Sequence, residues 1–196
     1  MTNLELFERA IRARASTAGK NTQYAIYDDG KAVYLSIEGS CDADDWRFNF
    51  DFVVTPYKHM TETWLVHRGF ATAWKLARDQ IKRDVDAALA GGNKRLMVLG
   101  FSHGAALAVL AHEFFKYNGY APETHAFGCP PLIWFPTKSI KSRFANLTVH
   151  QVRGDIVTVI SKIVGYRDVG NVVHYGPVKF PSHLQHTLPK YREALA

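Results

Sequence analysis

A serine flanked by glycines is the residue of this sequence best suited to chemistry. Residues 100–104 read Gly-Phe-Ser-His-Gly, which matches the pattern GxSxG. They follow the apolar run Leu96 to Leu99 and precede an amphipathic stretch from Ala105 to Tyr117. The glycines permit a tight turn between a strand and a helix, which would lift the Ser102 hydroxyl above a sheet edge. Because glycine has no side chain, they also leave the path of an approaching carbonyl open. We therefore predict that Ser102 is a nucleophile rather than an ordinary turn serine.

A serine nucleophile needs a histidine that takes its proton and a carboxylate that orients the histidine. Where GxSxG joins a strand to a helix, the acid and then the base follow the serine along the chain. Asp155 comes just after a predicted strand, Thr148 to Val152, and is the candidate acid, with Asp168 as its rival. His183 and His186 are both candidates for the base. Their spacing does not separate them, but His186 lies directly ahead of a proline-initiated helix, which favours it.

The residue that follows the nucleophile has a second predicted role. The backbone N–H of His103 is expected to point at the oxyanion that develops when a serine attacks a carbonyl. The His103 side chain could in addition line the substrate entrance.

The elements that position these groups alternate between strands and helices. The Asp-Gly pair within Asp28 to Lys31 predicts a hairpin between strands at Tyr24 to Tyr27 and Ala32 to Ile37. Leu96 to Leu99 is apolar on both faces, as in the central strand of a sheet that is covered on both sides. The pattern predicts an α/β fold with a mostly parallel sheet flanked by helices and an antiparallel N-terminal hairpin.

The remaining predicted elements extend this order to the end of the chain. An N-terminal helix with Leu4, Phe7 and Ile11 on one face is expected to pack on the sheet rather than lie on a membrane. The others are a strand at Trp64 to Val66, a helix from Phe70 to Ala88, strands at Thr124 to Phe127 and Val172 to Tyr175, and a terminal helix from Pro189.

Length and composition indicate one compact domain. The 196 residues, 47% of them hydrophobic, can bury a substantial core but are too few for two enzyme domains, so we expect a single domain over 1–196. The first residues are charged throughout, and no segment approaches the roughly 20 apolar residues that span a bilayer. We therefore expect no stable membrane insertion and a cytoplasmic location, which would fit an enzyme encoded by a bacterium or a phage.

Charge and cysteine content exclude several kinds of site. The net charge of +6 favours anionic surfaces without naming one, and the basic residues are scattered. Lys138, Lys141 and Arg143 form one local cluster, which we interpret as a solvated loop, because no aromatic residues interleave it as in a nucleic-acid site. Cys41 and Cys129 do not have the spacing of a zinc site. We expect no metal, no cofactor and no nucleic-acid partner, and the oligomeric state stays open.

Residues 20–195 resemble the class 3 lipase family, the fungal-lipase-like members of the α/β-hydrolase superfamily. GFSHGAALAVLA is similar to the nucleophile block of that family, QVRGDIVTVI to the segment that contributes the acid, and HTLPKY to an ending in which the base precedes a tyrosine. The resemblance implies the α/β-hydrolase fold and a catalytic triad of Ser102, Asp155 and His186.

The block AVYLSIEGSCDADDWRFNFDF resembles the family's oxyanion strand and the helix that follows it. The resemblance implies that Ser40 supplies a second oxyanion donor opposite the N–H of His103. WLVHRGFATAW resembles a block whose histidine, here His67, supports the structure, and AFGCPP resembles Phe-Gly-Ser-Pro-Arg. Residues 42–49 match the lid of fungal members but are acidic and poor in exposed apolar side chains, so we expect little interfacial activation.

Three positions depart from the family pattern. Glu38 replaces the usual arginine of the oxyanion strand, Cys129 replaces a serine, and Asp168 stands where a histidine is frequent. None of them belongs to the predicted triad, so the departures bear on the substrate more than on the reaction.

The reaction that the resemblance implies is hydrolysis of a small-molecule or lipid carboxylic ester through an acyl-enzyme on Ser102. A thioesterase or amidase would use the same residues, because the fold does not fix the leaving group. A module that has kept the fold and lost activity is the third possibility. Parallel assays on matched ester, thioester and amide substrates distinguish the three.

Overall fold

The computed structural model describes residues 1–12, 15–38, 52–59 and 62–196. The predictions made for Ser40, for Cys41 and for the lid-like segment 42–49 lie outside the described residues.

The described residues form eleven strands and five α-helices, which we number in chain order. The strands are β1 (Ser16–Ala18), β2 (Thr22–Asp28), β3 (Ala32–Glu38), β4 (Val54–His59), β5 (Glu62–His67), β6 (Arg95–Phe101), β7 (Glu123–Phe127), β8 (Ile133–Trp134), β9 (Leu147–Val152), β10 (Tyr166–Arg167) and β11 (Asn171–Tyr175). The helices are α1 (Asn3–Ala10), α2 (Arg68–Leu89), α3 (His103–Tyr117), α4 (Lys138–Ser142) and α5 (Leu188–Leu195). Short 3₁₀ turns cover Ile156–Thr158, Ile160–Val164 and His183–Gln185.

Seven strands form the main sheet, in the order β1-β2-β3-β6-β7-β9-β11. β1, β2 and β3 are antiparallel, whereas every pairing from β3 to β11 is parallel. The turn between β2 and β3 is closed by side-chain oxygens of Asp28 and Asp29, which accept the N–H groups of Gly30 and Ala32. The predicted N-terminal hairpin and the mostly parallel sheet are therefore confirmed.

A second, four-stranded sheet has the order β10-β8-β5-β4. The strand predicted at Trp64 to Val66 belongs to this antiparallel sheet and not to the main one. Its partner β4 was not predicted, because Pro56 and the polar residues beside it hide the strand pattern. The rings of Tyr57 and Trp64 pack 6.2 Å apart, and both side chains are buried.

The strands of the main sheet bury side chains on both faces, as alternation along a strand requires. Val33, Leu35 and Val98 pack on one side in a core that includes α2 and α3. Tyr34 and Leu99 point to the other side, where the core includes α1 and α5. The central strand predicted at Leu96 to Leu99 thus lies within β6, covered on both faces.

Helix α1 packs against the main sheet, as its apolar spacing predicted. Leu6 and Phe7 are buried, and the ring of Phe7 stacks 5.7 Å from that of Tyr191 in α5. Thr2 and Glu5 close a capping box at its start, which satisfies the first N–H groups of the helix. The terminal helices α1 and α5 therefore form one layer.

The carboxyl ends of the parallel strands lie at one edge of the main sheet. β6 leads directly into Ser102, and β9 leads into Asp155 through Arg153 and Gly154. This edge is where open α/β sheets hold ligands and reactive groups. No helix in the described ranges is long and apolar enough to cross a bilayer.

Candidate active site

Ser102 is held in a conformation that few non-glycine residues adopt. Its backbone has φ 57° and ψ −121°, and it forms the N-cap of α3. The Ser102 N–H donates to the carbonyl oxygen of Phe127 at 2.9 Å, which ties the turn to β7. The sharp strand-to-helix turn predicted from GxSxG is therefore present, and its strain is concentrated at the serine.

The two glycines of the motif are required because α3 crosses the sheet in direct backbone contact. A Cβ atom on Gly104 would lie 1.9 Å from the carbonyl oxygen of Ile37 in β3. One on Gly100 would lie 2.3 Å from the carbonyl oxygen of Gly104. Both distances are far inside van der Waals contact, so any larger residue would push the helix and Ser102 away from the sheet.

His186 lies within hydrogen-bond distance of the Ser102 hydroxyl. Its Nε2 is 2.7 Å from Ser102 Oγ, although the two residues are 84 positions apart. The ring is buried and stacks on Phe101, with centroids 5.1 Å apart and planes inclined by 14°. Gly128, with φ +58°, leaves room for it, since a Cβ there would lie 3.0 Å from His186 Cε1. The imidazole is thus oriented by packing as well as by hydrogen bonds.

Asp155 is fully buried, and both of its carboxylate oxygens accept hydrogen bonds. Oδ2 lies 2.7 Å from Nδ1 of His186, and Oδ1 accepts the N–H of Val157 at 2.9 Å. An ionised carboxylate only accepts hydrogen bonds, so the pairing places the imidazole proton on Nδ1. Nε2 is then the acceptor for the hydroxyl of Ser102.

Tyr191 is a further side chain of the site, and the sequence predicted it only as part of the terminal helix. Its hydroxyl donates to Asp155 Oδ2 at 2.7 Å and accepts the Val152 N–H at 3.3 Å. Burial and the neighbouring carboxylate raise the pKa of Tyr191 well above its usual value, so the phenol keeps its proton. The one sequence feature that pointed to Tyr191 was the family ending in which a tyrosine follows the histidine.

The rival candidates lie elsewhere. Asp168 forms an ion pair with Lys162 at 2.6 Å and accepts a hydrogen bond from Gln151 Nε2 at 3.0 Å. His183 is exposed at the start of a 3₁₀ turn. The geometry brings together Ser102 and His186, with Asp155 behind them, and not these alternatives.

His103 is the first residue of α3, where helix N–H groups lack partners within the helix. Its ring packs 5.3 Å from that of Phe70, and burial lowers its pKa to about 4, so the side chain is neutral near pH 7. His67, predicted to support the structure, is buried with its ring 4.5 Å from Phe70. Ser40, the other predicted oxyanion donor, lies outside the described residues.

This hydrogen-bonded arrangement can move a proton. An imidazole whose Nδ1–H is held by a carboxylate can take the proton of a serine hydroxyl at Nε2, and the carboxylate stabilises the cation that forms. The serine oxygen can then attack an acyl carbon. In the part of the chain that is described, no three His, Cys, Asp or Glu residues are grouped so that they could hold a metal ion.

Fold and site together define an α/β-hydrolase with a serine at its sharp strand-to-helix turn. A family model described as Lipase (class 3) matches residues 34–165, and the chain belongs to that family.

Two curated relatives show which enzymes it is similar to. The secreted mono- and diacylglycerol lipase A of Penicillium cyclopium is 32% identical over 108 residues, which are 54% of this chain and 35% of the relative. The secreted mono- and diacylglycerol lipase 1 of Fusarium solani is 30% identical over 101 residues, 51% of this chain and 30% of the relative. The match therefore spans about a third of the length of each. Both names describe secreted proteins, so they lend no support to the cytoplasmic location expected from the sequence.

Solved structures agree on the fold. The Lip2 lipase from Yarrowia lipolytica superposes with a TM-score of 0.71 at 19% identity, covering 90% of this chain and 73% of that one. A triacylglycerol lipase from Penicillium expansum gives 0.71 at 17% identity, covering 91% and 79%. Likeness at these identities establishes the α/β-hydrolase fold and nothing finer.

Proposed function

We propose that this protein is a serine hydrolase that cleaves carboxylic esters through an acyl-enzyme on Ser102. The observation that carries the proposal is the position of the His186 ring, which reaches Ser102 Oγ through Nε2 and Asp155 Oδ2 through Nδ1, both at 2.7 Å. Membership of the class 3 lipase family supports the same reaction.

In the proposed mechanism His186 takes the proton of Ser102 as the serine oxygen attacks the ester carbonyl. His186 then gives that proton to the departing alcohol, which leaves an acyl-enzyme. Water repeats the sequence on the acyl group and regenerates the serine. Asp155 keeps the imidazole in the tautomer that both steps require.

The oxyanion of each tetrahedral intermediate needs donors that are fixed in advance. We assign this role to the backbone N–H of His103, the residue that follows the nucleophile, and to Ser40 on the segment after β3. Losing one such donor typically lowers kcat by ~100 to 1,000-fold. The assignment of Ser40 rests on the family resemblance.

We assign the substrate to lipid or small-molecule esters, with partial acylglycerols as the first class to test. Two relatives are named mono- and diacylglycerol lipases, and this class fits the proposed chemistry. A cytoplasmic location and a single domain over 1–196 stay predictions. No cofactor takes part in the proposed steps.

Turnover of a dissolved short-chain ester by matched variants tests the proposal. We expect Ser102→Ala to lower kcat by at least about 10⁴-fold, and His186→Ala and Asp155→Asn by about 10³-fold or more. The rival residues provide the controls, since His183→Ala and Asp168→Asn should keep turnover within a few-fold of the wild type.

A panel in which Asp168→Asn or His183→Ala abolishes turnover while His186→Ala retains it would refute the assignment. Matched thioester and amide substrates, assayed beside the ester, identify the preferred leaving group. If the protein turns over none of the three substrates, the proposed function is wrong.

A further inference from the structure

Phe101, the residue before the candidate nucleophile, lies face to face with the ring of His186. The two ring centroids are 5.1 Å apart, and the ring planes are inclined by 14°. Asp155 Oδ2 and Ser102 Oγ meet the imidazole at Nδ1 and Nε2, which lie at the edge of its ring. Phe101 therefore contacts a face of the imidazole, whereas the two polar groups contact its edge.

The Phe101 ring is held in this position by its neighbours. Phe7 in α1 and Tyr191 in α5 pack on it with centroids 5.5 and 5.3 Å away and planes inclined by 83° and 72°. Aromatic rings favour such edge-to-face contacts, because the edge of one ring is positive and the face of the other is negative. The Phe101 backbone ends β6 and pairs with Phe127 of β7. Packing and pairing thus fix the face that Phe101 presents to His186.

The charge on that imidazole changes during the proposed reaction. His186 becomes a cation when it takes the proton of Ser102, and it stays one until the departing alcohol takes the proton. The ring is buried, so water solvates this cation poorly, and a poorly solvated charge is costly. Asp155 offsets the cost from the edge of the ring. An aromatic face within about 6 Å of a cation also attracts it.

We propose that Phe101 is a positioning residue for the hydrolysis, whose ring face stabilises the cationic form of His186. The inference rests on the proposed function, because it concerns a cation that forms during that reaction. A neutral imidazole gains less from a negative face than a cation does. The contact therefore stabilises the transition state more than the resting enzyme, and it raises kcat. A cation–π contact of this kind accelerates the reaction by about 3- to 30-fold.

Fluorinated phenylalanines at position 101 test the proposal. Each fluorine withdraws electrons from the ring and weakens its negative face, while the shape stays close to that of phenylalanine. For a dissolved short-chain ester, kcat should fall stepwise with 4-fluoro-, 3,5-difluoro- and 3,4,5-trifluorophenylalanine, by about 3- to 30-fold in all. KM should stay constant, because the ring acts through His186. Phe101→Leu, which keeps an apolar side chain without an aromatic face, should lower kcat by at least as much.

The same three fluorinated residues at position 7 are the matched control. Phe7 packs on Phe101 and Tyr191 in the same layer, so fluorine there disturbs the packing of that layer in a similar way. We expect kcat to stay within about twofold of the wild type in this series. The midpoint of thermal unfolding measures the loss of stability in both series.

A ring that only fills space acts through its shape and not through its electron density. A kcat that does not depend on the number of fluorines, or that falls equally at positions 7 and 101, would therefore overturn the proposal. Labelling of the wild type by a fluorophosphonate separates this outcome from failure of the proposed function. A wild type that is labelled and turns over the ester, with kcat insensitive to fluorine, refutes the role of Phe101 alone. A wild type that does neither refutes the hydrolysis, and with it the inference.

Discussion

Asp155 organises the candidate site, because its carboxylate accepts three hydrogen bonds. Oδ2 is shared between His186 Nδ1 and the Tyr191 hydroxyl, both at 2.7 Å, and Oδ1 accepts the Val157 N–H. A fully buried carboxylate would be costly without such partners. The tyrosine therefore fixes the direction in which the carboxylate holds the histidine.

Tyr191→Phe removes that hydroxyl and keeps the ring that packs on Phe7. We expect kcat for a dissolved ester to fall about tenfold or more, since a hydrogen bond to a charged group contributes ~1.5–3 kcal/mol. KM should be unchanged, because the phenol acts through Asp155 and not on the substrate. Steady-state kinetics on the purified variant measure both quantities.

Tyr175→Phe is the matched control, because it also removes a hydrogen-bonded tyrosine hydroxyl and keeps the ring. That hydroxyl is 2.8 Å from His150 Nδ1, outside the triad. Equal losses of kcat in the two variants would show that Tyr191 supports only the fold.

At the scale of elements, the turn that carries Ser102 exists because α3 crosses two strands without side chains between them. Gly104 lies against the carbonyl oxygen of Ile37 in β3, and Gly100 against that of Gly104. These contacts fix the start of the helix, and with it the Ser102 side chain and the N–H of His103.

Gly104→Ala should therefore lower the free energy of unfolding by at least about 2 kcal/mol, because overpacking a close backbone contact forces the elements apart. Gly91→Ala is the control. A Cβ there meets only the Lys94 amine at 3.7 Å, so we expect a change within about 1 kcal/mol. Urea unfolding curves give both values, and equal stability of the two variants would argue against the tight crossing.

Local pattern was sufficient to predict the strand, turn and helix around Ser102 and the order of acid and base. It did not predict the second sheet, because β8 and β10 are two residues each and are fixed by pairing rather than by their own sequence. It also did not predict the bond between Tyr191 and Asp155, 36 residues apart, which depends on how α5 packs. The preference for His186 over His183 came from its position ahead of the proline-initiated helix and from the family resemblance, and of the two the structure places His186 beside Ser102.

For the whole molecule, several histidines are buried in the neutral state. Burial lowers the pKa of His150 to about 3 and of His112 and His103 to about 4, from a usual value of 6.5. The unfolded chain takes up these protons as the pH falls below 6.5, whereas the folded chain does not until pH 3 to 4. The stability that these histidines contribute is therefore fully present above pH 6.5 and is lost as the pH falls toward 4.

We expect the free energy of unfolding to drop by up to about 4 kcal/mol per pH unit in this window, or ~1.4 for each histidine. His112→Gln should reduce the slope by ~1.4 kcal/mol per pH unit, the contribution of one histidine. Urea unfolding at several pH values measures the slope. A free energy of unfolding that stays constant between pH 7 and 5 would contradict the expectation. In the same urea curves, a single unfolding transition would support one domain over 1–196.

Covalent labelling by a fluorophosphonate, located by mass spectrometry of the digested protein, tests the central claim most directly. We expect one adduct, on the peptide that contains Ser102, which is absent from Ser102→Ala and forms far more slowly in His186→Ala. An adduct that persists in Ser102→Ala, or that maps to another residue, would contradict the assignment of Ser102 as the nucleophile.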